Sequence, residues 1–195
     1  WLGPYSYHVG VGWGFIDEER RIVVDEATIE RIDNGPERLR TFVRLELAQA
    51  TDLIESYNNA EALMLCDEII EFGRVLSDTA TLMTALGKKA GLLQRTGDWK
   101  RAKERQHERL RMALEVEAMD EEAHARAGIA WLLNAFGEFE EALAEYERAW
   151  ELFADLDDAH NAAKTIGAMG SVYRTRGQME RALQCFREQE ESCRA

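Results

Sequence analysis

Histidine, cysteine and carboxylate side chains are present in this chain, but none lies at a spacing typical of a catalytic or metal site. The four histidines are far apart, and the sequence contains no H-E-x-x-H, G-x-S-x-G or C-x-x-C pattern. Acidic residues occur in runs, such as 120–122 and 138–141, that suit the positive end of a helix dipole. We therefore predict no catalytic residue, no metal and no cofactor, and we expect that the chain is not an enzyme.

A glycine-rich segment near the start of the chain fits neither common phosphate-binding loop. Glycines stand at positions 10, 12 and 14, which matches neither G-x-G-x-x-G nor a Walker A loop with its lysine. Large apolar residues alternate with them, and this period of two predicts a strand over 8–16, followed by a second over 21–24. We predict a β-hairpin within residues 1–35, interpreted as the end of a preceding domain or as a strand that caps the first helix pair. Pro36 at a helix start marks the domain boundary.

The overall charge limits the classes of partner. The formal charge is −13, from 24 basic and 37 acidic residues, which opposes a main role in binding nucleic acid or an acidic membrane surface. No apolar run is long enough for a membrane span, and no signal peptide is recognisable. The three cysteines, Cys66, Cys185 and Cys193, are too few for a disulfide framework. We interpret them as reduced thiols of a cytoplasmic protein.

A repeat with a period of 40 organises the rest of the chain. A glycine is followed five residues later by an alanine at Gly97/Ala102, Gly137/Ala142 and Gly177/Ala182, and a large apolar residue stands two after each glycine: Trp99, Phe139 and Met179. Counting back by the same interval from Gly97 and Ala102 gives Tyr57 and Ala62, where the alanine persists without the glycine. Apolar residues at helical spacing precede each glycine, as in Ile129, Leu132, Leu133 and Phe136. Each repeat therefore predicts a helix, a short glycine turn and a second helix.

This pattern resembles the tetratricopeptide repeat (TPR). The match is fullest in the third repeat, which carries the small, large and aromatic positions of the family as Ala130, Leu133, Gly137, Phe139, Ala142, Tyr146 and Ala149. Gln106, Arg109 and Gln189 stand where the family usually has an aromatic residue or alanine. The period of 40 is longer than the usual 34 and is similar to that of Leu-Gly-Asn-type adaptors, kinesin light chains and bacterial peptide-pheromone receptors, families that bind peptides or proteins.

The resemblance implies an all-α, right-handed superhelical solenoid of about four helix-turn-helix repeats over residues 36–195. We expect the repeats at about 36–78, 79–119, 120–157 and 158–195. The chain starts without methionine and stops inside a second helix, so we expect a piece of a longer protein. An uncapped apolar face at the C-terminal helix would then allow self-association.

The resemblance also nominates a binding groove, because the first helix of each repeat lines the concave face of the TPR fold. Carrying the groove positions over predicts a peptide-binding set of Arg44, Gln94, Arg95, His124, Trp131, Asn134, Lys164, Ser171 and Arg174. Trp131 would be the aromatic anchor, although a tryptophan here is equally consistent with packing between repeats. Arg95 and Arg174 would pair with carboxylates, which favours an acidic or amphipathic peptide.

The function favoured by the sequence is a protein-protein interaction scaffold that binds a peptide or partner protein in this groove. One alternative is a peptide-responsive sensor domain of a larger protein, whose radius of gyration would change on binding. Another is the non-catalytic part of an enzyme whose active site lies in a missing N-terminal domain.

Overall fold

A computed structural model of the protein describes residues 34–192, and within that range the chain forms eight α-helices and no strand. The predicted hairpin strands at 8–16 and 21–24 lie outside the described residues, as does Cys193. The helices are α1 Gly35–Glu55, α2 Asn59–Val75, α3 Thr79–Thr96, α4 Trp99–Glu115, α5 Met119–Phe136, α6 Phe139–Asp155, α7 Ala159–Thr175 and α8 Met179–Ser192. The predicted all-α repeat architecture is therefore confirmed.

The helices belong to two compact units, which divide inside α3 between Leu92 and Leu93. In the first unit α1 packs on α2, and the rings of Phe42 and Phe72 meet edge to face with centroids 5.6 Å apart. Two lysines of α3 also reach this pair of helices: Lys88 donates to the Thr51 hydroxyl at 2.8 Å, and Lys89 pairs with Asp67. The thiol of Cys66 is buried here, and burial raises its pKa to about 11.

The second unit contains α4 to α8 and the end of α3. Its core lies between α5, α6 and α7, where Ala130, Leu143, Tyr146 and Val172 form one buried cluster. The repeated alanines Ala142 and Ala182 are both buried, as expected for positions at which the second helix of a repeat approaches the first. This unit carries most of the residues predicted from the sequence to bind a partner.

Left-handed residues end seven consecutive helices at a spacing of 20. They are Tyr57, Ser77, Gly97, Glu117, Gly137, Asp157 and Gly177, with φ between 50° and 87°. After each of them the next backbone N–H donates to a carbonyl five residues earlier at 2.9 Å, as from Glu138 to Leu133. This is the bond of a Schellman motif, which satisfies carbonyls that the helix end leaves free. The repeat recognised in the sequence is therefore built from two half-repeats of equal length.

The same residue that closes one helix begins the next. Asp78, Asp98 and Asp158 follow a left-handed residue, and each side chain accepts from the backbone N–H three residues later at 3.0–3.2 Å. Such N-caps are worth about 1 kcal/mol each. The backbone N–H of each aspartate closes the preceding helix, and its side chain caps the following one. The connection between the two helices therefore has the same length at each of these turns.

Two glutamines that depart from the family pattern each pack over a glycine. A Cβ added to Gly128 of α5 would collide with the side chain of Gln106 from α4, and one added to Gly167 of α7 would collide with Gln189 from α8. One repeat further along, Tyr146 stands in place of Gln106 and Ala168 in place of Gly128, and Ala168 packs against the buried cluster that contains Tyr146. The missing methyl group of Gly128 thus makes the space that buried Gln106 occupies.

Replacing Gly137 with alanine should lower the free energy of unfolding by about 1–2 kcal/mol, the cost of a left-handed conformation for a residue with a Cβ. Gly91 is the matched control, because it lies inside α3 with nothing within 4 Å of an added Cβ. Gly91→Ala should raise stability by about 0.5–1 kcal/mol. Urea unfolding followed by circular dichroism measures both changes, and equal stability of Gly137→Ala and the parent would contradict the assigned role of the turn.

The pairing of Gln106 with Gly128 predicts a coupled response to mutation. Gly128→Ala should destabilise the protein, because overpacking costs about 1–3 kcal/mol and outweighs the gain in helix propensity. Adding Gln106→Ala should recover part of that loss, with a coupling of at least about 0.5 kcal/mol in a double-mutant cycle. Additive effects of the two substitutions would show that the two side chains do not share this space.

Candidate functional site

The predicted binding residues fall on the first helices of the repeats, and none of them is fully buried. Arg44 is exposed on α1 in the first unit, and eight others lie in the second unit. Gln94 and Arg95 are at the end of α3, and the remaining six lie on α5 and α7: His124, Trp131, Asn134, Lys164, Ser171 and Arg174. We call the outward side of α5 and α7 that carries these six residues the first-helix face.

An exposed aromatic cluster lies at one end of this face. The ring of Trp99 meets Trp131 edge to face at 6.2 Å between centroids, and meets Phe136 in the same way at 6.1 Å. The three side chains keep 37%, 42% and 45% of their surface exposed, respectively. Trp99 is fixed by its indole N–H, which donates to the carbonyl of Gln94 at 3.3 Å. The cluster is therefore an ordered apolar surface open to solvent, in which Trp131 both packs on its neighbour and remains accessible.

Two cations on α7 give the face positive charge. Lys164 and Arg174 are exposed, and neither forms an ion pair within residues 34–192. Their neighbours are engaged, because Arg176 pairs with Glu140 at 2.6 Å and Arg181 lies over the ring of Tyr173. Helical spacing places Lys164, Ser171 and Arg174 on one side of α7, which contacts α5. The pair is thus free to bind carboxylates from another molecule.

Two polar groups nominated from the sequence already have partners inside the protein. The side-chain amide of Gln94 donates to the carbonyl of Gly128 at 3.5 Å, and the Ser171 hydroxyl donates to Gly167 at 3.2 Å. The carbonyl oxygen of the Asn134 side chain is buried without a hydrogen-bond partner in the described part of the chain. Gln94 and Ser171 therefore bond within the protein, whereas the Asn134 side chain keeps an acceptor without a partner in the described part of the chain.

Sequence reasoning missed two members of the aromatic cluster. The sequence pattern places Trp99 only at the turn. It places Phe136 in the same apolar period as Ile129, Leu132 and Leu133, which are buried in α5. Phe136 is exposed because α5 ends there, immediately before Gly137. The one sequence signal that Trp99 and Phe136 share is a position beside a glycine turn. Their contact joins residues of two neighbouring repeats, so the sequence of one repeat does not predict it.

Comparison with known proteins gives the fold a context. No family model and no curated protein matches the sequence. Among solved structures, the apo form of RapI superposes with a TM-score of 0.73 at 15% identity, covering 86% of this chain and 60% of RapI. BtubC from P. vanneervenii gives 0.66 at 22% identity, covering 78% of this chain and 65% of BtubC. TPR-like repeats of a putative kinesin light chain from Podosopora anserina give 0.64 at 16%, covering 79% and 74% of the two chains.

The chain has a TPR-like repeat fold. The resemblance deduced from the glycine and alanine spacing is thereby confirmed at the level of the fold. At these identities the similarity extends to the backbone architecture and not to the site residues.

The TPR-like repeats contain no group of three or more histidine, cysteine or carboxylate side chains that could hold a metal ion, within the residues described. In the same range, no helix has both the length and the apolar character needed to cross a membrane. The predictions that the chain has no catalytic site and is cytoplasmic stay predictions.

His124 is the titratable group of the first-helix face whose pKa is shifted. Its ring meets Phe153 edge to face at 5.0 Å, and burial lowers its pKa, helped by the positive charge of Arg109. Glu121, Asp158 and Asp120 oppose the shift. Arg109 is itself paired with Glu121 at 2.5 Å, which limits how much of that carboxylate's charge His124 experiences. The net effect is an imidazole that stays neutral to lower pH than a free one.

This shift predicts a pH-dependent contribution to stability. Because the folded protein binds a proton at His124 less readily than the unfolded chain, stability should fall as pH decreases below about 6.5, the ordinary histidine pKa. His124→Asn should remove that component, so the difference in unfolding free energy between the parent and the variant should change with pH in this range. His160→Asn is the control, since it removes a second exposed histidine that takes no part in the ring contact between His124 and Phe153. A pH-independent difference for His124→Asn would refute the assignment.

Proposed function

We propose that the chain is a protein-interaction module that binds a peptide segment of a partner through the first-helix face of its second unit. The proposal rests chiefly on the exposed aromatic cluster of Trp99, Trp131 and Phe136. Aromatic side chains that remain ordered and exposed together are typical of binding hot spots, whereas isolated exposed apolar residues are ordinary on protein surfaces. The TPR-like fold supports the same class of function, since repeat stacks present extended binding surfaces.

Charge on the face narrows the kind of segment. Lys164 and Arg174 lie on α7, beside the helix that carries Trp131, and have no ion-pair partner in the part of the chain that the structure describes. A segment with an apolar side chain and one or more carboxylates would satisfy both features. In this protein of charge −13, the two cations also make this face a local exception that an acidic segment can approach.

The roles of the other nominated residues follow from their environments. Gln94 and Ser171 position the helices, because their polar groups are already bonded within the protein, and Asn134 remains a separate prediction. Arg95 is exposed and lies four residues before Trp99 in the sequence. Its pairing with a carboxylate of the bound segment stays a prediction. Arg44 belongs to the first unit and remains a separate prediction. The aromatic residues with Lys164 and Arg174 therefore form the proposed binding set.

A display library of random peptides tests the proposal without knowledge of the natural partner. Peptides enriched on the immobilised full chain would be synthesised and titrated by calorimetry. Trp131→Ala and Arg174→Glu should each weaken binding at least about tenfold, since truncation of a hot-spot residue typically costs more than about 1 kcal/mol. Leu183→Ala and Arg187→Glu are matched controls, because both residues are exposed on α8 away from this face, and they should bind normally.

Two results would contradict the proposed function. One is the absence of any enriched peptide relative to an unrelated helical protein. The other is unchanged affinity of Trp131→Ala and Arg174→Glu, with helical circular dichroism like that of the parent, because the binding surface would then lie elsewhere.

A further inference from the structure

The second helices of two neighbouring repeats carry opposite charge. The α4 segment 99–115 contains six lysine or arginine residues and three acidic ones, whereas the α6 segment 139–155 contains one arginine and six acidic residues. Both helices are in the second unit, and α4 begins with Trp99 of the aromatic cluster, whereas the charged residues of α4 and α6 lie outside the first-helix face. The formal charge of −13 therefore conceals a local reversal of sign between two adjacent second helices.

The reversal occurs at equivalent positions of the repeat. Residues 40 apart have opposite sign at Lys100/Glu140 and Arg101/Glu141, and His107 and Arg111 correspond to Glu147 and Glu151. Because these pairs occupy the same positions on helices of the same length, the outward sides of α4 and α6 resemble each other in backbone geometry and complement each other in charge.

Several of these charges are not neutralised within the chain. Lys100, Arg111 and Glu147 form no ion pair within residues 34–192. Glu151 pairs with Arg148 at 2.9 Å one turn away on the exposed surface, an interaction of small energetic value. The two sides therefore retain charge that could pair with another molecule.

Each side also has an apolar element. Trp150 lies between Glu147 and Glu151 on the same side of α6 and keeps 40% of its surface exposed. On α4, an open cleft of about 680 Å³ lies beside the exposed ring of Phe136. Four lysine or arginine residues, one histidine and two glutamates line it: Lys100, Lys103, Arg105, His107, Arg111, Glu104 and Glu108. An exposed indole flanked by carboxylates and a cleft with an excess of cations are complementary in charge.

We propose that α4 and α6 form the interface with a second copy of this chain. In a two-fold dimer, α4 of one protomer packs against α6 of its partner, and the reverse contact forms at the same time. Trp150 of each protomer enters the cleft beside Phe136 of the other, while Glu147 and Glu151 face Lys100 and Arg111. A second copy is favoured over an unrelated acidic segment because this chain itself carries the complementary surface, with its apolar anchor, at the equivalent position.

Sedimentation equilibrium of the full chain over a range of concentrations tests the dimer. Lys100→Glu with Arg111→Glu should weaken dimerisation at least about tenfold, and so should Glu147→Lys with Glu151→Lys, because each doubled variant places like charges across the interface. An equal mixture of the two doubled variants should associate as a heterodimer, and a chain with all four substitutions should dimerise again. Trp150→Ala should weaken dimerisation by a similar factor. Circular dichroism should be unchanged throughout, since all of these side chains are exposed.

Control substitutions separate this interface from the proposed peptide site. Lys164→Glu and Trp131→Ala on the first-helix face should leave the dimer intact, and the α4 and α6 variants should still bind the peptides selected on the parent. A parent chain that dimerises as proposed but enriches no peptide would count against the first-helix face alone.

Three outcomes would overturn the dimer proposal. The first is a parent chain that stays monomeric at every concentration. This outcome would overturn the proposal even if the parent bound polyglutamate through the α4 cations, because the occupant would then be an acidic segment. The second is failure of the mixed or fourfold variants to associate. The third is a dimer that is insensitive to the α4 and α6 changes but is lost on Leu183→Glu, which would assign association to the C-terminal helix.

Discussion

The left-handed backbone at every twentieth residue is the constraint on which the rest of the structure depends. From Tyr57 to Gly177 it ends each helix with a Schellman bond, and the following residue begins the next helix. Three of the seven positions are glycines, which adopt this conformation without cost. Tyr57, Ser77, Glu117 and Asp157 adopt it with a side chain, at about 1 kcal/mol or more each. Packing of the helices on both sides of each turn must compensate for that strain.

The turn geometry also determines where the exposed aromatic residues lie. In the last three repeats a large apolar residue two positions after the turn begins the second helix, and the alanine three positions later is buried. In the second repeat the large residue is Trp99, and the neighbouring α5 supplies Trp131 and Phe136 at the same end of the hairpin. The aromatic cluster thus forms where Trp99, at a position that the repeat pattern keeps large, meets Trp131 and Phe136, at positions that the fold does not require to be aromatic.

The predictability of each feature follows from how local its cause is. The helices and turns could be read from the sequence because a glycine, an alanine and an apolar period lie within one half-repeat. The left-handed conformation at the turns between repeats could not be predicted, since Ser77, Glu117 and Asp157 give no glycine signal for it. Gln106 departs from the aromatic residue that the family usually has at this position. The residue that makes room for it, Gly128, lies on the first helix of the next repeat, so the sequence of one repeat does not explain the departure. The position of Trp131 could be predicted from the repeat register, but its contact with Trp99 could not.

Charge shows why whole-chain properties describe a repeat protein poorly. A value of −13 weighs against phosphate-rich partners, yet it is a sum over surfaces that differ in sign. Corresponding residues of different repeats lie on equivalent surfaces. A substitution of an exposed residue in one repeat therefore changes the charge of that helix without changing its backbone. The cations of α4 and the carboxylates of α6 are such a case. Surfaces of opposite charge at equivalent positions of two repeats are suited to pairing between two copies of the chain. A two-fold arrangement is the simplest one in which both surfaces are satisfied at once.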